Sequence, residues 1–286
     1  YERMTRGRRR EHYQWNMDIW GVAGVEAEAE LISAVTSLFS SVGITSDDVV
    51  IRVSSRQVLA EVLGGLGVPP EKFAATCVLV DKLDKLKLED IRDDMEALGL
   101  TEAVVQGIVE TMAIRDIEGL ERKLGASSPA VTSLRRLFEL ARAYGFEKWL
   151  TIDASVVRGL AYYTGIVFEA NDRAGTLRAI CGGGRYDRLL ETFGGEAVPA
   201  CGFGFGDAVI VELLRDKNLL PDPSAGIRVD AMVFALGMEN HALAAAAAAS
   251  LRRAGYSADL ILDDRKAKWA FKQAERVGAG KVVLIG

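Results

Sequence analysis

The sequence predicts an α+β fold in three parts: a strand-rich core, a helical block inserted into that core, and a C-terminal α/β segment. Three observations carry this prediction. Alternation of apolar and polar residues marks residues 15–20 and returns at residues 149–155, whereas residues 56–148 are mostly helical and highly charged. A proline-rich linker at residues 220–226 then precedes a stretch in which strand and helix patterns alternate.

Composition restricts the class of protein before any motif is considered. At 286 residues, with 49% hydrophobic and 26% charged residues, the chain is typical of a globular protein with about two domains. The net charge of −5 favours no general binding to nucleic acid, so any RNA contact must come from local basic patches. Three cysteines without paired spacing argue against a disulfide framework and a zinc site, and no apolar run reaches the ~18 residues of a membrane span.

The elements of the core follow from local patterns. Alternation predicts a strand over Trp15–Trp20, helical spacing predicts a helix over Glu26–Ser41, and β-branched residues predict a strand over Val49–Val53. In the helical block, prolines stand at expected helix starts and glycines at expected helix ends. Beyond the block we expect four strands and then a helix, at Trp149–Ser155, Thr164–Ala170, Leu177–Cys181, Cys201–Gly206 and Asp207–Leu214.

The C-terminal segment is predicted to be a parallel, three-layer α/β unit. Its elements follow the order βαβαβ, at Val229–Leu236, Glu239–Ala254, Asp259–Leu262, Lys266–Val277 and Lys281–Ile285. Because the chain begins at Tyr1 without a methionine and ends directly after the last strand, we expect it to be cut at both ends.

An arginine, three tyrosines and a run of glycines lie close together in two segments, Arg158–Gly165 and Cys181–Asp187. An arginine beside two tyrosines offers a fixed cation, flat apolar walls and two hydroxyl groups. Consecutive glycines allow a ligand to lie directly on the backbone, because no Cβ stands in the way. The two segments therefore predict the wall and floor of a small-molecule pocket. The alternative is aromatic packing followed by a glycine-rich turn.

The N-terminal segment adds cations and a polar strand face. Gly7 is predicted to be the tip of a hairpin loop that carries five arginines: Arg3, Arg6, Arg8, Arg9 and Arg10. One guanidinium group can bind two phosphate oxygens at once, so this loop suits a polyphosphate or an RNA end. The alternative is a solvated basic loop. Gln14, Asn16 and Asp18 alternate and share one strand face, which predicts a polar cavity there. The glycines of Gly202–Gly206 suit a flat ligand such as adenine or, equally, tight strand–helix packing.

In these motifs the chain resembles the histidyl-tRNA synthetases, a family of class II aminoacyl-tRNA synthetases. Tyr1–Asp18 resembles the second motif of the class, with its arginine loop, and Gly202–Gly206 with the following helix resembles the third motif. Arg158–Gly165 and Cys181–Asp187 are similar to the two signatures that are specific to the histidine enzymes.

The resemblance implies a division of the chain and an activity. An antiparallel-sheet catalytic core is expected at residues 1–55 and 149–222, lacking its N-terminal part here, with a helical insertion domain at 56–148 and an incomplete anticodon-binding α/β domain at 227–286. The protein is expected to activate histidine with ATP and to pass the histidyl group to the 3′ end of histidine tRNA. Mg²⁺ is expected to offset phosphate charge, with no metal site in the protein itself. We expect a cytoplasmic homodimer without a membrane part, with an organelle as the alternative location.

The resemblance also implies roles for single residues. Arg158 is expected to be the catalytic cation beside the α-phosphate and to contact histidine. ATP is expected to contact Glu2, Arg8, Gly204 and Gly206. The other residues expected to bind histidine are Gln14, Asp18, Tyr162, Tyr163, Tyr186, Gly182, Gly183 and Gly184.

Asp18 is expected to set the specificity for histidine, because a neutral imidazole carries one donor and one acceptor. A carboxylate can accept from the ring N–H, while tyrosine hydroxyls serve the other nitrogen, and a wrong ligand would leave these partners unpaired. The alternative is that Asp18 caps a loop or pairs with an arginine of residues 3–10.

The rival hypothesis is a catalytically inactive paralogue that acts as a regulatory or accessory subunit. Two residues depart from the family pattern: Ala161 replaces an acidic residue of the first histidine signature, and Val209 stands where the third motif carries an arginine. Because Arg8, Asp18 and Arg158 are retained, we favour the enzyme.

Overall fold

The structure is a computed structural model that describes residues 4–83, 88–157, 162–221 and 229–286. It divides into two compact units, Tyr1–Leu219 and Leu220–Gly286. The strands of the described residues are β1 Gln14–Trp20, β2 Val49–Ser55, β3 Leu150–Ile152, β4 Ile166–Asp172, β5 Cys181–Arg185, β6 Ala200–Gly206, β7 Ala231–Ala235, β8 Ala258–Leu260 and β9 Lys281–Ile285. The helices are α1 Glu26–Ser41, α2 Arg56–Gly65, α3 Phe73–Val80, α4 Leu88–Ala97, α5 Glu102–Met112, α6 Ile117–Leu124, α7 Pro129–Tyr144, α8 Asp207–Asp216, α9 His241–Arg253 and α10 Ala267–Arg276.

The first unit is built around a six-stranded sheet in the order β1-β6-β5-β4-β2-β3. Neighbouring strands are antiparallel except β2 and β3, which run parallel. The order places β1 beside β6, and the glycine-rich β5 between β6 and β4. The predicted antiparallel core is therefore confirmed, with one parallel strand at its edge.

The register of three strands decides which residues share a face of this sheet. Asp18 pairs with Gly202, and Gly202 pairs in turn with Gly184, so these three positions lie on the same face of the sheet. On the opposite side, Trp15 and Phe203 belong to the hydrophobic core, where their ring centroids lie 4.9 Å apart. Helix α1 covers that side, whereas Tyr163 and Tyr186 lie against the glycine-lined side.

Helices α2 to α7 form the helical block, and their ends obey ordinary capping rules. The side chain of Ser128 accepts a hydrogen bond from the backbone N–H of Val131 at the start of α7, and Pro129 occupies the first turn. The same helix ends at Gly145, whose φ of 84° is left-handed and suits glycine. The helical character predicted for this block is therefore observed, within the same compact unit as the sheet.

The second unit is a parallel three-stranded sheet in the order β8-β7-β9. Alternate residues of β7 face two different helices. Val233 packs in a cluster with Ala248 of α9, whereas Phe234 packs in a cluster with Ala274 of α10. One helix therefore covers each face, which gives the three layers predicted for this segment.

One predicted strand is displaced along the chain. Residues 177–181 were expected to form a strand, but β5 begins only at Cys181 and contains the glycine run itself. The carboxylate of Asp172 accepts hydrogen bonds from the backbone N–H groups of Thr176 and Leu177, at 2.9 and 3.0 Å, and so holds this segment in a loop.

Of the helices in the described ranges, none is long and apolar enough to span a membrane.

Candidate functional site

A cavity of about 370 Å³ opens on the glycine-lined face of the sheet. Its floor comes from β1 and β6, and its wall comes from tyrosines. The lining residues are Gln14, Asn16, Asp18, Trp20, Tyr162, Tyr163, Tyr186, Leu189, Gly202, Phe203 and Gly204. The structure thus brings together, in one cavity, five of the residues that the sequence assigned to histidine: Gln14, Asp18, Tyr162, Tyr163 and Tyr186.

The polar residues Gln14, Asn16 and Asp18 form a row along β1. The side-chain amide of Gln14 donates to Oδ1 of Asn16 at 2.8 Å, which orders the first half of the row. Trp15 and Met17, between them in sequence, pack against the hydrophobic core. Because side chains alternate along a strand, packing of the odd-numbered residues forces the polar row into the cavity.

Tyr186 is held as a proton donor beside Asp18. Its hydroxyl donates a hydrogen bond to Oδ1 of Asp18. Burial, and then this hydrogen bond, raise the pKa of Tyr186 well above its usual range, so the hydroxyl stays protonated. Asp18 therefore contacts a tyrosine of the pocket in this structure, and its role as a ligand of histidine stays a prediction.

The three tyrosines form the aromatic wall of the cavity. The ring centroids of Tyr162 and Tyr163 lie 4.9 Å apart, and the ring of Tyr162 meets that of Tyr186 edge-on at 5.9 Å. Trp20 adds a further edge-to-face contact with Tyr186 at 5.9 Å. Such pairs are favourable arrangements of aromatic rings, and they give the cavity flat, apolar boundaries of fixed position.

The glycines of β6 keep the floor of the cavity open. A Cβ at Gly202 would overlap Oδ1 of Asp18 and would lie 2.8 Å from the hydroxyl of Tyr186. A Cβ at Gly204 would overlap the amide nitrogen of Gln14. Glycine at these two positions therefore makes room for the polar row itself, in addition to any ligand.

The glycines of β5 divide between the two faces of the sheet. Gly182 and Gly184 pair with the glycines of β6 and lie on the cavity side. Gly183 lies on the other side, where a Cβ would come within 2.7 Å of the Cβ of Phe203. The structure thus brings Gly182 and Gly184 to the cavity face but not Gly183, whose lack of a side chain is explained by packing.

The arginine hairpin, residues 5–10, forms a tight turn before β1. The backbone N–H of Arg8 donates to the carbonyl oxygen of Thr5 at 2.9 Å, and Gly7 has a left-handed φ of 73°, as expected for the tip of a hairpin. Gly206 lies at the junction of β6 and α8, where a Cβ would be 3.7 Å from Cδ2 of His12. Neither Arg8 nor Gly206 belongs to the described lining of the cavity.

Two of the predicted site residues, Arg158 and Glu2, lie outside the described residues. Their roles rest on the resemblance of their motifs. In the part of the chain that the structure describes, no group of three or more His, Cys, Asp or Glu side chains is placed to hold a metal ion.

Sequence reasoning placed Asn16 on the polar strand face but missed three lining residues: Trp20, Leu189 and Phe203. Trp20 shares the period-two alternation of Gln14, Asn16 and Asp18, so the strand pattern could have assigned it to the site. Leu189 follows the second tyrosine segment without any periodic signal, and only the fold brings it to the cavity.

The sequence also gave no sign of a buried ion pair behind the pocket. Nε and Nη2 of Arg185 each bind the carboxylate of Glu28 at 2.6 Å, and the Glu28 side chain is 0% exposed. The same guanidinium donates to the carbonyl oxygens of Val22 and Gly24 and to Oδ1 of Asp187, at 2.9 to 3.0 Å. All five N–H donors of Arg185 therefore have acceptors, which is the condition for a charge to be stable in the interior.

This cluster joins the chain segments that form the cavity. Oδ2 of Asp187 lies 3.2 Å from the hydroxyl of Thr164, next to Tyr163 in sequence, and Asp187 itself follows Tyr186. The carbonyls of residues 22 and 24 belong to the turn that follows the strand of Asp18. The buried pair of Arg185 and Glu28, together with the partly exposed Asp187, thus fixes three pocket segments relative to one another.

Comparisons with known proteins all match this chain to the same family. A sequence model described as histidyl-tRNA synthetase matches residues 2–207. The chloroplastic/mitochondrial histidine–tRNA ligase of Arabidopsis thaliana is 51% identical over 286 residues, which cover 100% of this chain and 58% of that protein. The histidine–tRNA ligase of Opitutus terrae is 36% identical over 293 residues, covering 100% of this chain and 66% of that protein.

The fold gives the same result. The crystal structure of histidyl-tRNA synthetase from Nostoc sp. PCC 7120 matches with a TM-score of 0.73 at 25% sequence identity, over 93% of this chain and 64% of that one. The chain therefore spans 58% to 66% of the length of the curated relatives described above.

Proposed function

This chain belongs to the histidyl-tRNA synthetase family, and we propose that the protein activates histidine with ATP and transfers it to the 3′ end of histidine tRNA. In the first step, a carboxylate oxygen of histidine attacks the α-phosphorus of ATP, so that histidyl adenylate forms and pyrophosphate leaves. In the second step, a terminal ribose hydroxyl of the tRNA attacks the activated carbonyl carbon and AMP leaves. The observation that carries the proposal is the cavity in which a carboxylate, three tyrosines and a glycine floor meet.

Histidine recognition is proposed to use Asp18 as acceptor for a ring N–H of the substrate. Tyr186 already donates to this carboxylate, which supports the proposal because a fixed acceptor discriminates better than a mobile one. Tyr162 and Tyr163 would bound the ring and exclude larger side chains, and Gln14, on the same row, would meet the polar end of the amino acid. A ligand without ring nitrogens would leave the buried partners unpaired.

ATP is proposed to lie across the glycine floor toward the arginine hairpin. We assign adenine to the part of this floor that carries no side chains, at Gly204 and Gly206, and Arg8 would reach the phosphates. Arg158 and Glu2 are assigned to the α-phosphate and to adenine by resemblance alone. The reaction needs positioning and cationic stabilisation and no general base, because a carboxylate is already ionised near pH 7. Mg²⁺ would arrive bound to ATP, as part of the substrate.

We further propose the division of labour that the family implies. Residues 1–55 and 149–222 would carry catalysis, residues 56–148 and 227–286 would contact tRNA, and two protomers would form a homodimer. The cytoplasm stays our proposed location, and the name of the relative from Arabidopsis thaliana supports an organelle as the alternative.

ATP–pyrophosphate exchange with the full-length protein tests this function. We expect exchange that depends on histidine and does not occur with other amino acids, because a side chain without ring nitrogens would leave the proposed partners unpaired. A folded protein that gives no exchange with histidine would contradict the proposal and would favour the accessory-subunit hypothesis.

A further inference from the structure

The turn of the arginine hairpin rests on helix α8. The guanidinium of Arg6 forms ion pairs with Asp216 and Glu212 of that helix, with 3.5 Å between Nε and Oε2 of Glu212. The next residue, Gly7, lies against Val209, because a Cβ there would come within 3.2 Å of Cγ2 of Val209. Positions 209, 212 and 216 share one face of a helix, so the turn docks along a single face of α8.

Helix α8 offers the turn a fixed base. Val209 and Leu213 are buried in the hydrophobic core, so the helix cannot move without disturbing that core. At the start of α8, the backbone N–H of Asp207 donates to the carbonyl oxygen of Tyr13 at 3.0 Å. The segment that leads from the hairpin into β1 is therefore fixed at Tyr13 to the start of α8. The turn of the hairpin is fixed to the same helix through Arg6.

The contacts of Arg6 distinguish it from an arginine that binds phosphate. Its Nη2 donates to both carboxylate oxygens of Asp216, and a phosphate would have to displace them. Glu212 also pairs with Arg215 at 2.6 Å, so the contact belongs to a small network of two arginines and two carboxylates. Arg6 is thus committed to the protein, although it is one of the five loop arginines that the sequence assigned to a polyphosphate or an RNA end.

We propose that Arg6 is a positioning residue, which holds the hairpin on α8 so that Arg8 meets the phosphates of ATP. The proposal rests on the function proposed above. The link is short, because the backbone N–H of Arg8 closes the turn onto Thr5 and leaves only Gly7 between the two arginines. Fixing Arg6 therefore fixes the direction in which the Arg8 side chain leaves the turn.

The test measures KM for ATP, KM for histidine and kcat in pyrophosphate exchange, using the full-length protein. Arg6→Ala is expected to raise the KM for ATP by about three- to fivefold, the scale of a half-exposed ion pair, with the KM for histidine unchanged. Arg136→Ala is the matched control. Arg136 is also 49% exposed and also binds two carboxylates, those of Glu26 and Glu139, but it lies on α7. It should leave the KM for ATP unchanged.

Charge exchange separates positioning from a general loss of structure. Asp216→Arg should raise the KM for ATP, and the double variant Arg6→Asp with Asp216→Arg should return it toward the wild-type value. If the wild-type protein shows exchange, three results would each overturn the positioning role. They are an unchanged KM for ATP in Arg6→Ala, an equal rise of that KM in Arg136→Ala, and a double variant whose KM for ATP is no lower than those of the single variants. A wild-type protein without exchange would overturn the proposed function, and the role of Arg6 with it.

Discussion

At the scale of single residues, the specificity that we propose for the pocket depends on two side chains from distant parts of the chain. Asp18 lies on β1, and Tyr186 follows β5, yet the hydroxyl of one donates to the carboxylate of the other. The raised pKa of Tyr186 keeps this direction of donation fixed at every physiological pH. Asp18 consequently retains acceptor capacity for a ligand, since a carboxylate can accept several hydrogen bonds.

Replacing Asp18 tests that residue-scale account. Asp18→Asn keeps the size of the side chain but removes its charge, so the KM for histidine should rise about 10- to 100-fold, as expected for a hydrogen bond to a charged group. The KM for ATP should change little. The measurement is histidine-dependent pyrophosphate exchange, and a wild-type KM for histidine in this variant would remove Asp18 from the binding site.

Gly202 offers a second test, directed at space and not at charge. A Cβ there would overlap the carboxylate of Asp18, so Gly202→Ala should displace the pair and weaken histidine binding by on the order of tenfold or more. Gly64→Ala is the control, because a Cβ at Gly64 in α2 meets nothing within 4 Å. Calorimetric titration with histidine decides the matter; equal affinities of the two variants would show that the floor does not need glycine.

At the scale of secondary-structure elements, the buried pair of Arg185 and Glu28 ties β5 to α1. Burial alone would lower the pKa of Arg185. The hydrogen bonds and the charge of Glu28 outweigh this effect, so the pKa of Arg185 lies above its usual value. The guanidinium is therefore charged in the folded protein, and its stability depends on its partners.

Removing one partner should be costly for the fold. Glu28→Gln leaves a buried arginine without its counter-charge, so the free energy of unfolding should fall by about 3–5 kcal/mol. Glu191→Gln is the control: Glu191 binds Arg188 at the same 2.6 Å, but on the surface, and the loss should stay below about 1 kcal/mol. Urea unfolding measures both, and similar losses would show that burial does not matter here.

The elements also show what the sequence could predict and why the rest was missed. Period-two alternation in residues 14–20 predicted both the strand and its polar face, because the pattern is local. The start of β5 was misplaced, since the side chain of Asp172 holds residues 176–177 in a loop that no periodicity records. The pair of Arg185 and Glu28 is separated by 157 positions, so only the folded sheet brings it together.

At the scale of the whole molecule, the chain divides into two units with separate cores. The cavity and its supporting charges lie entirely within the first unit. The second unit carries basic side chains on its helices, among them Arg252, Arg253, Lys268 and Lys272. The separation of amino-acid activation from tRNA binding that we propose follows this division.

Deleting residues 228–286 from the full-length protein tests that separation. Aminoacylation of tRNA should fall, because basic contacts to the RNA backbone are lost, while pyrophosphate exchange with histidine should be mostly retained. Both activities are measured on the same preparation, with circular dichroism to verify folding. Loss of both activities in a folded variant would contradict the assignment of this unit to tRNA.

A crystal structure with bound histidine tests the central claim most directly, since the claim concerns where the substrate ring lies. The account predicts the imidazole between the tyrosines, with one ring nitrogen within roughly 3.2 Å of an oxygen of Asp18, directly or through one water. Histidine bound elsewhere, or with no ring nitrogen within reach of Asp18, would contradict the account.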